Sequence, residues 1–323
     1  MLAASLDQRV LQRGGIFCVM SYSSELPPTI TLDGSANKKD DNGVLIPRTT
    51  RHARASHYRF AISSATKSLQ TFETPKKLMT IIHHALKAHE SAYRLCKILH
   101  GDISESNIMM TEAGTGVLND WDMAYAVTPY SPILKTREES HPKENSGGDD
   151  IRIDSLKINI PRTGTWQYMS TLRLRFPGKE LDLQDDLESF FYVVLFFTLQ
   201  YLPVSLPQPE LVDFMKSIFE ERALSHALGM DIGGQAKATL LAGQDTSFMR
   251  LAFLDNPPVN SWMRASWLAF EELHRHEIRR PTQTPTLAAH IGLRDHDRFL
   301  KIFEDVLALG EWSDARKPTA AAH

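Results

Sequence analysis

The stretch that decides the fold is Ile98-Leu99-His100-Gly101-Asp102-Ile103-Ser104-Glu105-Ser106-Asn107-Ile108-Met109-Met110, followed by Gly116-Val117-Leu118-Asn119-Asp120-Trp121-Asp122-Met123-Ala124-Tyr125. Asp102 and Asn107 stand five residues apart in a polar loop bounded by apolar Ile98-Leu99 and Ile108 to Met110. Both side chains can therefore turn into one pocket while their neighbours anchor it. Met109 and Met110 leave the loop as a strand, residues 111 to 116 turn with Gly114 and Gly116, and Val117-Leu118 run back, at about 3.3 Å per residue. That return brings Asp120 beside Asn107. One amide oxygen and one carboxylate, adjacent and with water at the other positions, suit a hard cation such as Mg²⁺ that also grips phosphates. Asp102 is left to orient and deprotonate a hydroxyl.

His100-Gly101-Asp102 with Asn107, then Asp120 thirteen residues after Asn107, resembles the catalytic loop and metal-binding Asp of the protein-kinase-like superfamily, whose template is His-Arg-Asp-x-x-x-x-Asn and Asp-Phe-Gly. His-Gly-Asp and Asp-Trp-Asp are also similar to small-molecule kinases of the aminoglycoside phosphotransferase and choline kinase type. Two later segments favour protein kinases. Arg162-Thr163-Gly164-Thr165-Trp166-Gln167-Tyr168-Met169 resembles a Gly-Thr-x-x-Tyr substrate-docking segment, and Asp185-Asp186-Leu187-Glu188-Ser189 resembles the start of their central helix and is similar to casein-kinase-like enzymes. The four ordered motifs together most resemble the fungal-type protein kinase family, over roughly residues 58 to 312.

That resemblance implies an α+β, protein-kinase-like fold: mainly the α-helical C-terminal lobe, with a small catalytic-loop β-hairpin and a reduced N-terminal lobe. It implies transfer of the ATP γ-phosphate to Ser or Thr hydroxyls of a protein or peptide, with ATP and Mg²⁺ as cofactors. Asp102 and Asn107 become the catalytic pair, Asn107 and Asp120 the metal ligands, and Ser104, Asn107 and Asp120 the nucleotide contacts. Ser104 stands where many kinases carry a Lys that touches the transferred phosphate. Asp122 takes the Gly position of Asp-Phe-Gly; in an extended segment it points the same way as Asp120, and is either a second metal carboxylate or a solvated strand end. His100 supports the loop, Thr165 hydrogen-bonds near Asp102, Tyr168 belongs to a peptide-facing wall from Trp166 to Met169, and Asp186 accepts N–H groups from the catalytic loop. Gly101 replaces the Arg with which many kinases grip a phosphorylated activation segment.

At 323 residues and 42% hydrophobic content the chain can bury one large core or two. A net charge of −3 gives no global pull toward nucleic acid or an anionic membrane. Arg48, Arg51, Arg54 and Arg59, with His52, His57 and Tyr58, form a local basic run, read as a solvated face because it lacks a repeated aromatic platform. Two cysteines far apart, Cys18 and Cys96, support neither a disulfide framework nor a zinc site. The first residues lack a continuous apolar segment before a small-residue cleavage site, so the expectation is a cytoplasmic or nuclear protein.

Along the chain, residues 1–70 read as a truncated or eroded N-lobe remnant and linker, with strands at Gly15 to Met20 and His57 to Ile62. No Gly-x-Gly-x-x-Gly with a following strand Lys occurs there. That gap keeps open a catalytically impaired pseudokinase or peptide-binding module. Residues 71–313 read as the C-lobe, with a charged insert at 135–157 expected to stay disordered, and residues 314–323 as tail. Thr71 to Cys96 predicts a helix capped at Thr74, with Pro75 in its first turn. Its His83, His84 and His89 read as surface or capping residues rather than a metal set. Leu187 to Leu199 is apolar all round, too short for a membrane span of about 20 residues, and belongs in a core. Pro209 to Leu228, Gln235 to Leu241, Asn260 to His274 and Asp297 to Leu309 predict outer helices, with Pro257-Pro258 as a break. Trp262, Trp267 and Trp312 read as core.

Overall fold

The computed structural model describes residues 66–127, 164–279 and 295–316. These fall in one compact unit; the expected strands at Gly15 to Met20 and His57 to Ile62, the basic run, Arg162 and the insert at 135–157 lie outside the described residues.

Strand β1 (Thr66–Ser68) leads through a 3-10 turn (Leu69–Thr71) into helix α1 (Pro75–Cys96). The helix begins at Pro75 rather than Thr71 because Thr74 takes the cap: its extended backbone lets the side chain accept the Lys77 N–H, and Pro75 lacks the N–H that a first turn leaves unused. Lys97, with φ 55°, turns the chain out of the helix while its N–H closes on the Tyr93 carbonyl. Then follow β2 (Ile98–Leu99), β3 (Ile108–Thr111), β4 (Gly116–Leu118), a 3-10 turn (Trp121–Met123) and β5 (Tyr125–Ala126). The β3–β4 hairpin pairs Ile108 with Leu118 and Met110 with Gly116, β1 adds to the outer side of β3, and β2 pairs with β5.

The hairpin rests on α1 through one contact that fixes its distance. A Cβ at Gly116 would lie 2.0 Å from the Ile81 carbonyl oxygen, and the Gly116 N–H donates to His84 Nδ1 at 3.2 Å. Only glycine allows this approach.

After the undescribed stretch come α2 (Thr171–Arg175), α3 (Leu183–Tyr201), α4 (Gln208–Glu220), β6 (Ala223–Ser225), β7 (Met230–Ile232), α5 (Gln235–Leu241), α6 (Thr246–Arg250), α7 (Pro257–Arg279) and α8 (Asp297–Leu307). Helix α3 starts earlier than Leu187 because Asp182 and Asp185 form a reciprocal capping box. Its residues Leu187, Phe190, Phe191, Val193, Val194, Leu195 and Leu199 are all buried, as the unbroken apolar run demands of a central helix. Trp262 is fully buried in this core, and Trp267 and Trp312 pack against it.

Two expectations need correction. The helix expected over Pro209 to Leu228 ends at Glu220 and gives way to the β6–β7 hairpin. Leu224 and Leu228, which continued the helical spacing, are exposed and have no core to face, while Gly229, with φ +64°, makes the turn. Pro257-Pro258 is the start of α7 rather than a break before it. Beyond α8 the chain stays attached as far as Arg316, whose guanidinium lies 4.1 Å over the Phe72 ring and donates to the Phe72 carbonyl at 2.7 Å. Among the described residues no helix is long and apolar enough to cross a membrane.

Candidate active site

The first two turns of α3 carry three buried carboxylates, Asp185 and Asp186 in the first and Glu188 in the second, each with its own partners. Asp186 accepts the N–H of His100 at 2.7 Å and that of Gly101 at 3.0 Å. Asp185 accepts the Ser170 hydroxyl at 2.6 Å and pairs with Lys179 at 2.6 Å. Glu188 accepts the N–H and hydroxyl of Thr171 at 2.7 and 2.6 Å and lies 3.2 Å from His274 Nε2. Burial alone would raise Asp186, but the hydrogen bond and charge of His89, the nearby His100 and the His100 N–H hold it below the usual carboxylate range. An ionised Asp186 can only accept, which is the role two loop amides require.

From Asp186 the loop grows outward. His100 is fully buried; its Nδ1 accepts the Asp102 N–H at 3.3 Å, so its Nε2 carries the proton and donates to the Asn119 carbonyl at 2.8 Å. Burial lowers its pKa, keeping it neutral. Asp102 Oδ1 accepts the Thr165 N–H at 2.8 Å and the Thr165 hydroxyl at 2.7 Å. Gly164, with φ +114°, permits that closure, since a Cβ there would lie 2.8 Å from the Gly101 carbonyl. Asn107 donates from Nδ2 to the Asp102 carbonyl at 2.8 Å, and its Oδ1 accepts a long 3.4 Å hydrogen bond from Ser106 Oγ.

The hairpin register brings the second half of the site home. The Asn119 N–H donates to the Asn107 carbonyl at 2.8 Å, so the residue ahead of Asp120 is paired with Asn107. Asp120 is exposed, adopts φ 60° and ψ 64°, and caps no backbone N–H with its side chain. Asp tolerates this left-handed conformation better than most residues. Asp102 and Asn107 are thus linked directly, and Asn119, which is bonded to both Asn107 and His100, is the chain neighbour of Asp120.

Other expected site residues fall differently. The segment after Asp120 is a 3-10 turn, with Trp121 Nε1 donating to the Leu118 carbonyl at 3.0 Å. The alternation argument that aimed Asp122 alongside Asp120 therefore does not apply, and Asp122 is exposed within the turn. Ser104 is fully buried and its Oγ lies 2.8 Å from Ser106 Oγ, so the hydroxyl expected at the nucleotide is spent inside the loop. Tyr168 is fully buried, its ring 5.7 Å from that of Phe196 at a right angle; it supports the docking segment from below and presents no face to a peptide. Trp166 and Gln167, half-buried, line a groove of about 350 Å³ with Thr165, Phe219, Glu220 and Arg222, and the Arg222 guanidinium lies 4.3 Å over the Trp166 ring.

Two positions went unread as structural keys. His89, expected at the surface, is fully buried and bonds Asp186; its spacing of three and four from Leu86 and Ala85 placed it on the apolar face. Lys237 is buried, donates to the Gln167 and Met169 carbonyls at 2.8 and 2.7 Å, and lies 3.9 Å over the Tyr192 ring. Its register with Leu240 and Leu241 was the available signal. Burial drags the Lys237 amine down to about 7 against the opposing pull of Glu188 and Glu221.

Among the described residues no group of three or more His, Cys, Asp or Glu is assembled for a metal. Asn107 Oδ1 and the Asp120 carboxylate are both oxygen donors. That donor set fits Mg²⁺, which takes one or two protein oxygens and completes its shell with phosphate and water.

A sequence family described as fungal protein kinase matches residues 12–198. The match starts well ahead of residue 58, where the motif resemblance began, and stops within α3. No curated protein matches the chain.

Proposed function

Because this chain belongs to the fungal protein kinase family, we propose that it is a phosphotransferase that moves the γ-phosphate of ATP to Ser or Thr hydroxyls of a protein or peptide. The observation that carries the reading is the double hydrogen bond from Thr165 to Asp102 Oδ1. It joins the docking segment to the catalytic loop and fixes the carboxylate with Oδ2 left to receive a substrate hydroxyl.

In this reading Asp102 Oδ2 accepts the hydrogen bond of the incoming hydroxyl, orients its oxygen, and takes its proton as the new oxygen–phosphorus bond forms and the bond from the γ-phosphorus to the β,γ-bridging oxygen breaks, ADP leaving with that oxygen. Thr165 keeps the carboxylate from turning. Asn107 holds the Asp102 carbonyl with Nδ2 and, with Asp120, would hold Mg²⁺ through Oδ1. Mg²⁺ bound there supplies positive charge to the phosphate oxygens. The groove of Thr165, Trp166 and Gln167 receives the peptide on the side of the accepting hydroxyl. We assign the protein to the cytoplasm or nucleus.

One observation favours a second reading, a pseudokinase or peptide-binding module. The sequence has no Gly-x-Gly-x-x-Gly followed by a strand Lys, and Ser104, where a phosphate-touching Lys is usual, is buried with its hydroxyl on Ser106. Incubation with Mg²⁺, radiolabelled ATP and a Ser/Thr peptide library decides between them. Incorporation into peptide that disappears in Asp102→Asn supports the kinase reading. No incorporation and no thermal shift at millimolar Mg·ATP overturns it for the binding module, and labelling of aminoglycosides or amino-alcohols instead of peptides overturns it for a small-molecule kinase.

A further inference from the structure

A chain of buried polar groups runs from the start of α8 to the residue before Asp102. His296, the residue ahead of α8, lies with Nε2 2.7 Å from His89 Nδ1. His89 Nε2 lies 2.8 Å from Asp186 Oδ2. The same Oδ2 accepts the His100 N–H at 2.7 Å, and Oδ1 accepts the Gly101 N–H at 3.0 Å. His296, His89 and Asp186 are all buried, at 1%, 0% and 2% exposure, so water does not substitute for any link.

The donors and acceptors set the direction. A carboxylate only accepts, so His89 donates from Nε2, and both of its ring nitrogens are engaged. With both nitrogens held, the ring has one orientation, and so does the carboxylate it meets. The ring also lies 6.4 Å from that of Trp121, at 21°, next to Asp120. Helix α8 is seated independently of this chain by buried Phe299, Leu300, Phe303 and Val306, and its backbone starts at His296, whose carbonyl accepts the Leu300 N–H at 2.8 Å.

We propose that His296 and His89 are positioning residues that transmit the seating of α8, through Asp186, to the backbone of His100 and Gly101 and hence to the placement of Asp102. Neither touches substrate. The catalytic consequence rests on the phosphotransfer reading above; the positional one does not. A displacement of about 1 Å at a reacting group costs about a hundredfold in turnover, so loss of the relay lowers kcat while leaving the nucleotide and peptide surfaces in place.

The test pairs hydrogen exchange with kinetics on the full chain. His296→Ala and His89→Leu break the relay; His89→Gln retains an amide that can donate to Asp186. The expected result is exchange of the His100 and Gly101 amides faster by about tenfold or more in the two breaking variants, with kcat lower by about 10- to 100-fold, KM for ATP and peptide within about twofold, and recovery of most of both losses in His89→Gln. Should His89→Leu fail to fold, His296→Ala carries the same comparison from the far end. Wild-type exchange at His100 and Gly101 in His296→Ala overturns the relay, as does a loss that His89→Gln does not recover. If wild-type protein transfers no phosphate, the functional reading falls, and the exchange arm still decides the relay.

Discussion

Asp102 and Thr165, 63 residues apart in sequence, are joined by two hydrogen bonds to a single carboxylate oxygen, at 2.8 Å from the backbone N–H and 2.7 Å from the hydroxyl. Thr165→Val keeps the first bond and the side-chain shape and deletes the second. We expect kcat to fall about tenfold with KM for ATP unchanged, whereas Asp102→Asn, which removes the proposed base, costs about 10² to 10⁴. Steady-state kinetics on a peptide substrate measures both; equal losses in the two variants would contradict the separation of roles.

In the proposed reading Asn107 has two jobs on opposite ends of one amide. Asn107→Ala loses the 2.8 Å bond to the Asp102 carbonyl as well as the Oδ1 donor, while Asp120→Asn loses only negative charge at the proposed cation site. The expected outcome is that both raise the Mg²⁺ concentration for half-maximal activity by about tenfold or more, and that only Asn107→Ala also lowers the melting temperature without nucleotide. Mg²⁺ titrations of activity and thermal melts check this.

Lys237 spans the Gln167 and Met169 carbonyls from beneath the docking segment. Lys237→Met leaves two buried acceptors unpaired and should cost about 2–4 kcal/mol at pH 7 by urea unfolding. The pH dependence has a definite sign. The folded amine titrates at about 7, below its ordinary 10.5, so between those values the unfolded chain binds the extra proton and stability rises with pH. From pH 7 to 9 wild type should gain about 2 kcal/mol relative to Lys237→Met; a constant gap between the two proteins across that range would contradict the assignment.

Gly116 and Gly178 separate backbone approach from glycine content. Gly116→Ala drives a methyl to 2.0 Å from the Ile81 carbonyl, whereas a Cβ at Gly178 meets nothing within 4 Å. We expect the first to destabilise by about 3 kcal/mol or more through displacement of the hairpin from α1, and the second to stay within about 0.5 kcal/mol of wild type. Chemical denaturation of both variants makes the comparison.

The sequence was most legible where one local rule governs. Thr74-Pro75 fixed the start of α1, the unbroken apolar run from Leu187 to Leu199 announced a buried helix, and the motif order pointed to the family that matches residues 12–198. It misled where spacing continued past its core: Leu224 and Leu228 prolong a helical pattern that has nothing to pack against. At Asp122 the extended reading failed because Asp120 turns left-handed and Trp121 closes a 3-10 turn.

By itself, then, the sequence determined where the long helices lie and which polar side chains share the loop from Asp102 to Asn107, because capping, apolar periodicity and the short hairpin are properties of neighbouring residues. Tertiary structure alone decided that His89 and Lys237 are bonded where they are buried, and that Ser104 and Tyr168 turn inward. Whether a polar group faces water or a partner depends on what packs over it from 68 to 207 residues away, and the free energy of leaving it unpaired there is set by that packing, not by its neighbours in the chain.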